Sequence, residues 1–226
     1  MFNILKKAFK TNDLFQEAFN EMVTMLHEDY TMFRESVRSL RHSDNAELEF
    51  DLYAADKKIN KFEREVRRKV LTQLAIAKPI DIAPGLILIS VVGDIERIGD
   101  YTKNIYELAD AHPKILHAGK FEEKLVETEK TVMEKFQRVT KAYSQKDEAL
   151  AGQIMLNHRS ITEWCDKTVK EMITSKDCEL SCGDAVAVAL YIRHLKRISS
   201  HLSNIVSSII NPFPRVGYRN KEDLDD

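Results

Sequence analysis

Two carboxylates set four residues apart, Glu96 and Asp100, are the side chains in this sequence best placed for chemistry. They stand in the run Gly93-Asp94-Ile95-Glu96-Arg97-Ile98-Gly99-Asp100-Tyr101. On a helix that spacing puts both on one face, one turn apart. Beside them runs an apolar seam at steps of three and four: Leu88, Val91, Ile95, Ile98, then Thr102, Ile105 and Ala109. Carboxylates that border a buried seam repel one another unless something neutralises them. A metal ion does this, and Asp56 and Glu63 on the preceding helix are placed to complete a set of oxygen ligands. Such a set suits hard cations such as Mg, Mn or Ca, with Fe or Zn as further choices. The competing reading is ion pairing with Arg97, Lys103 or Arg64 on a solvated face. Gly93 and Gly99 each cost a helix roughly 1 kcal/mol relative to Ala, which points to close approach by another backbone or a ligand.

The elements that must hold these residues are helices. Seven Gly and five Pro in 226 residues are few breakers, and 31% of residues are charged, a composition that suits long helices. The first helix runs from about Asp13 to Arg41, with Met22, Met25 and Met32 among its core positions. His42 to Asn45 break it, and Asp44 with Glu47 resembles a capping box. A second helix has a heptad seam from Leu48 to Leu74, closed by Pro79. The third, opened by Pro84, carries the acidic motif and runs to Ala111, before His112-Pro113. Beyond Gly119 a fourth follows from Phe121 to Tyr143. Ser144 with Asp147 caps a fifth, through Ile154, Ile161, Trp164 and Met172. Ser181 to Asp184 caps the sixth, whose seam runs from Val188 to Ile209 until Asn211-Pro212-Phe213-Pro214 stops it. No stretch alternates with period two for long enough to make a strand, so the fold class is all-α.

The third and sixth helices match at an offset of 100 residues: Arg97 meets Arg197, Ile98 meets Ile198, Asn104 meets Asn204 and Ile105 meets Ile205. The chain therefore reads as a duplicated unit, two tandem antiparallel three-helix bundles over residues 13–112 and 119–211, with a polar tail over 212–226. Lys196 and Ser200 stand where the second copy of Glu96 and Asp100 would be. A lysine brings donors and no acceptor, so the metal site is expected in the first half alone. His158, His194 and His201 lack ligand spacing.

Net charge of −2 argues against a broad nucleic-acid surface. Three cysteines, Cys165, Cys178 and Cys182, make no disulfide framework and fit a reducing cytoplasm in structural roles. The most apolar run, Ile82 to Val92, is too short to span a membrane. The basic, amphipathic start from Met1 to Lys10 reads as the lead-in to the first helix. Phosphate-binding loops, zincin pairs, nucleophile elbows and Glu-x-x-His pairs are absent from the sequence, so no catalytic residue is expected.

A tandem of three-helix units with a Glu-Arg-Ile-Gly-Asp motif in the last helix resembles the PhoU family of phosphate-signalling proteins. Asp94 to Asp100, continued by Asn104-Ile105, carries the resemblance, as do Asp56, Ile59, Asn60 and Glu63 on the second helix. It spans about Asp13 to Ile210. The resemblance implies a cytoplasmic, homodimeric negative regulator without turnover, one that binds a phosphate transporter component, a sensor histidine kinase or both. Any peripheral membrane association would come through those partners. It also implies a divalent or trivalent metal ion (Mg, Mn, Fe or Zn) on the acidic motif, here Glu96 and Asp100. Two alternatives stand beside it: a metal-free helical adaptor accompanying a phosphate permease, and a carboxylate-metal phosphohydrolase.

Overall fold

The structure is a computed structural model that describes residues 13–218 apart from 45–46, 77–81, 113, 157–158 and 175–178. The N-terminal run, Asn45, Pro79, Pro113, His158, Cys178 and the last eight residues of the tail therefore lie outside the described residues. Seven α-helical stretches are described: α1 Asp13–His42, α2 Leu52–Ala75, α3 Ile82–Ala111, α4 Glu122–Gln145, α5 Glu148–Leu156, α6 Arg159–Thr174 and α7 Cys182–Ile210. The expected fifth helix corresponds to α5 and α6 together, and among the described residues there is no strand.

Three of these helices start on the side-chain caps that free backbone N–H groups require. Asp147 accepts from the Leu150 N–H at 2.9 Å, and Ser181 accepts from the Asp184 N–H at 3.2 Å, both as the sequence predicts. The cap of α2 differs. The sequence points to Asp44, but Asp51 accepts from the Ala54 N–H at 2.9 Å and the helix starts at Leu52. Leu48 and Phe50 are instead packed on the core from the connecting segment, so an apolar residue there signals burial without helix. Asp44 faces the Ile115 N–H at 3.4 Å.

In the first half α1, α2 and α3 pack on one another; in the second, α4, α5 and α6 pack on α7. The two halves join through α3 against α7 and α1 against α4, and their apolar side chains form one continuous core. Asp94 meets Asn204 whereas Tyr101 meets Arg197, so α3 and α7 run antiparallel. At the other seam Phe33 and Phe136 stack with ring centroids 6.0 Å apart. Arg41, buried at the end of α1, pairs with Glu122 and with Glu129 (2.7 Å) on α4 and donates to the Leu116 carbonyl. A guanidinium so enclosed is tolerable only with its charge and donors matched. Met22, Met25 and Met32 lie in the core, Trp164 packs partly on it, and burial pushes the Cys165 thiol up to about 12. The described part of the tail is docked: the Asn211 side chain donates to the carbonyls of Arg215 and Tyr218, and the Gly217 N–H donates to Ser207 Oγ. No helix among the described residues is long and apolar enough to cross a membrane.

Replacing the cap should separate the two aspartates. Asp51→Ala is expected to cost about 1 kcal/mol of stability in urea unfolding, while Asp44→Ala stays within about 0.5 kcal/mol.

Candidate functional site

The acidic motif is organised around a residue outside it. Asp29 on α1 has no exposed surface, and neither of its carboxylate oxygens has a hydrogen-bond partner among the described residues. It fits because position 99 is glycine. A Cβ at Gly99 would stand 3.0 Å from Asp29 Oδ1 and 3.5 Å from Ile59 of α2, so the helices close on the carboxylate only without a side chain there. Burial holds the Asp29 carboxyl well above the usual carboxylate range, and the nearby Asp56, Glu96, Glu28 and Asp100 push it the same way. The sequence signal was a charged residue inside the apolar stripe of Met22, Met25 and Met32.

The four acids named from the sequence come to this region on two helices. Asp56 and Asp100 face each other across Lys103, whose Nζ is 3.3 Å from both Asp56 oxygens and 3.4 Å from Asp100 Oδ1. Asn60 also donates to Asp56, at 3.3 Å. Burial alone would lower the Lys103 pKa, but Asp56 and Asp100 together carry it above the ordinary value. Glu96 is half-buried beside Arg97 at 3.8 Å, and its carboxyl is raised by burial, then by Asp100 and Glu63. Glu63 is buried and held by Arg67 at 2.7 Å. The structure therefore sets Asp56 and Asp100 around Lys103 and Glu63 beside Arg67, while Arg97 bridges Glu96 (3.8 Å) and Asp100 (3.5 Å). Among the described residues no three acidic, histidine or cysteine side chains converge closely enough to hold a metal as placed. Arg67, not Arg64, is the arginine of α2 that pairs with these acids.

Beside Glu96 a cleft of about 530 Å³ opens between α2, α3 and α7, lined by Glu63, Arg67, Ser90, Asp94, Arg97 and Asn204 among others. Gly93 lies in its wall, and a Cβ there would meet only Arg67, at 3.9 Å; this glycine keeps space open and marks no backbone contact. Asp94 Oδ1 accepts from Asn204 Nδ2 at 2.9 Å and lies 2.7 Å from His201 Nδ1. Arg197 Nε donates to the Tyr101 hydroxyl at 3.0 Å, and the Tyr101 ring stacks on His201 at 5.7 Å. His194, on the same ring, is pushed down to about 4 by burial. These histidines thus serve the α3–α7 contact.

The second half is built differently at the matching places. Lys196 pairs with Asp166 of α6 at 2.5 Å and 2.6 Å, and Ser200 donates to the Lys196 carbonyl. Lys135 on α4 is buried, and its Nζ donates to the Ser199 carbonyl at 2.7 Å, to Ser199 Oγ at 3.0 Å and to Ser203 Oγ at 2.6 Å. Ser199 lies 100 residues after Gly99. Where the first half sets a carboxylate against the motif helix, the second sets an ammonium.

The family model described as PhoU domain matches the chain twice, over residues 22–109 and 125–209. A crystal structure of PhoU from Pseudomonas aeruginosa is similar with a TM-score of 0.79 at 18% identity, over 89% of this chain and 97% of that one. The phosphate transport system regulatory protein PhoU from Streptococcus pneumoniae is similar with a TM-score of 0.73 at 18% identity, over 87% of this chain and 93% of that one. Comparison with curated proteins gave no match.

Asp29 carries a pH signature. A carboxyl whose folded pKa is raised binds its proton more tightly when folded, so it removes stability as pH climbs above the unfolded value of about 4. In protein stripped of metal, Asp29→Asn should therefore raise the melting temperature by a few degrees at neutral pH, with the gap closing as pH falls to about 4.

Proposed function

Because the chain belongs to the PhoU family, we propose that it regulates phosphate transport and phosphate-responsive signalling, acting in the cytoplasm as a homodimer without turnover of its own. Its partners in this reading are a phosphate transporter component, a sensor histidine kinase, or both. The observation that carries the proposal is the double match of the PhoU domain over both halves of the chain, 22–109 and 125–209. Disrupting the gene in its host should raise phosphate uptake and phosphate-responsive transcription in phosphate-rich medium. Unchanged uptake and transcription would sink the regulatory reading.

Within this function the acidic region is read as a cation site of the first half. Support comes from Asp29: a fully buried carboxylate with two unpartnered oxygens is costly unless it is protonated or meets a cation. Asp29, Asp56, Glu96 and Asp100 would hold a divalent or trivalent ion (Mg, Mn, Fe or Zn), with Glu63 beside Glu96. The oxygen donors favour the harder of these ions. The bound ion would supply positive charge that ties α1, α2 and α3 together. Lys103 and Arg97 are the cations to be displaced, Lys103 half-buried and Arg97 exposed. A metal-free adaptor accompanying a phosphate permease is the second reading, favoured by the Lys103 ammonium that already stands between Asp56 and Asp100.

Elemental analysis decides between them. Protein purified without chelator should carry metal that is lost in Glu96→Gln/Asp100→Asn and in Asp29→Asn. A wild type that stays metal-free after supplementation with each ion leaves the adaptor.

A further inference from the structure

We propose that the outer face of α2 docks directly on an anionic membrane surface. In a chain of net charge −2, this one helix carries seven Lys or Arg and three Asp or Glu. Its acids offset little of the exposed charge: Asp56 and Glu63 are turned toward α3, and half-buried Glu65 reaches Lys61 alone, at 3.8 Å. The bases on its flanks are taken, Lys58 by Glu28, Lys69 by Glu17 and Glu21, and Arg67 by Glu63. Lys57, Lys61, Arg64 and Arg68 remain on the outer face, all exposed. Among the described residues no carboxylate pairs with Lys57, Arg64 or Arg68, and Lys61 has only Glu65 at 3.8 Å.

The spacing of three and four aligns Lys57, Lys61, Arg64, Arg68 and Leu71 along one side of the helix. At 1.5 Å per residue the stripe is roughly 20 Å long. It ends in apolar residues that the fold leaves outside: Leu71 is 70% exposed and Ile76 is 79% exposed, with Ile82 and Leu86 of α3 also exposed. Four long cationic side chains leading to an apolar tip match a surface of anionic headgroups over hydrocarbon. α2 packs on α1 and α3, so this side is the convex outside of the first bundle. A convex stripe of flexible cations without a groove suits a fluid layer of charge better than an acidic protein, which would need fixed complementary positions. The corresponding outer helix of the second half, α6, instead mixes exposed acids and bases, Glu163 and Asp166 with Lys167 and Lys170.

The test is co-sedimentation of the full chain with phosphatidylcholine vesicles that either contain or lack about 30% phosphatidylglycerol. The chain should pellet with the anionic vesicles alone and be released at about 1 M salt, where screening is short-ranged. Lys57→Glu/Arg64→Glu/Arg68→Glu should weaken binding at least about a hundredfold, from about fivefold per neutralised base. Leu71→Ser/Ile76→Ser should weaken it while leaving its salt dependence. Circular dichroism is the control that each variant keeps its helices. Equal binding to neutral vesicles overturns the proposal, as does failure to bind anionic ones, the result expected if the face serves an acidic protein. Binding that survives in the triple variant places the contact elsewhere in the chain and overturns it too.

Discussion

Asp29 has no exposed surface and no hydrogen-bond partner among the described residues, and the first bundle is arranged around that fact. A charge in such a place must be neutralised by a proton, an ion or a neighbouring cation. The surrounding acids on α2 and α3 make the demand greater, because each raises the cost of ionising the next. Lys103, Arg97 and Arg67 meet the surrounding acids Asp56, Glu96 and Glu63 from the solvent side, at distances from 2.7 to 3.8 Å, and leave Asp29 itself unpaired among the described residues. Gly99 makes the arrangement possible by letting α1 bring its carboxylate against the motif helix. The motif is thus one wall of a three-helix enclosure.

The duplication is used structurally as well as chemically. The motif helices of both halves pack antiparallel, so each bundle completes the core of the other. Polar residues along this contact pair across it, Asp94 with Asn204 and His201, Tyr101 with Arg197, while His201 Nε2 stays buried without a partner among the described residues. Arg197 matches Arg97 by the repeat, yet it faces the other bundle while Arg97 stays with its own acids. The same residue type does different work in each copy because the helix beside it differs.

Periodicity made the helices legible. Apolar steps of three and four, with Asp147 and Ser181 ahead of them, located the helices and two of their caps. It failed at Leu48, where burial came from a connecting segment, and so misplaced the cap of α2. Within the site, the spacing of Glu96 and Asp100 was visible, as was the facing helix with Asp56 and Glu63. What periodicity cannot supply is which cation each acid meets, since that depends on side-chain reach across helices. Lys103 bridging to Asp56 is such a case, 47 residues distant in sequence. Asp29 was readable in principle as a charge in a core stripe, but nothing local told of Gly99, 70 positions further on.

Lys135 draws the sharpest line between the halves. Its amine is covalently tethered and already donates to Ser199 and Ser203, so the second bundle holds a buried lysine where the first holds a buried carboxyl. A tethered donor cannot diffuse away or be exchanged. The halves share a topology but differ in the group each buries against its motif helix, Asp29 in one and Lys135 in the other, and this gives a pseudo-symmetric molecule a sense of direction. The two ends of the protein are therefore chemically distinguishable although both halves follow the same order of helices.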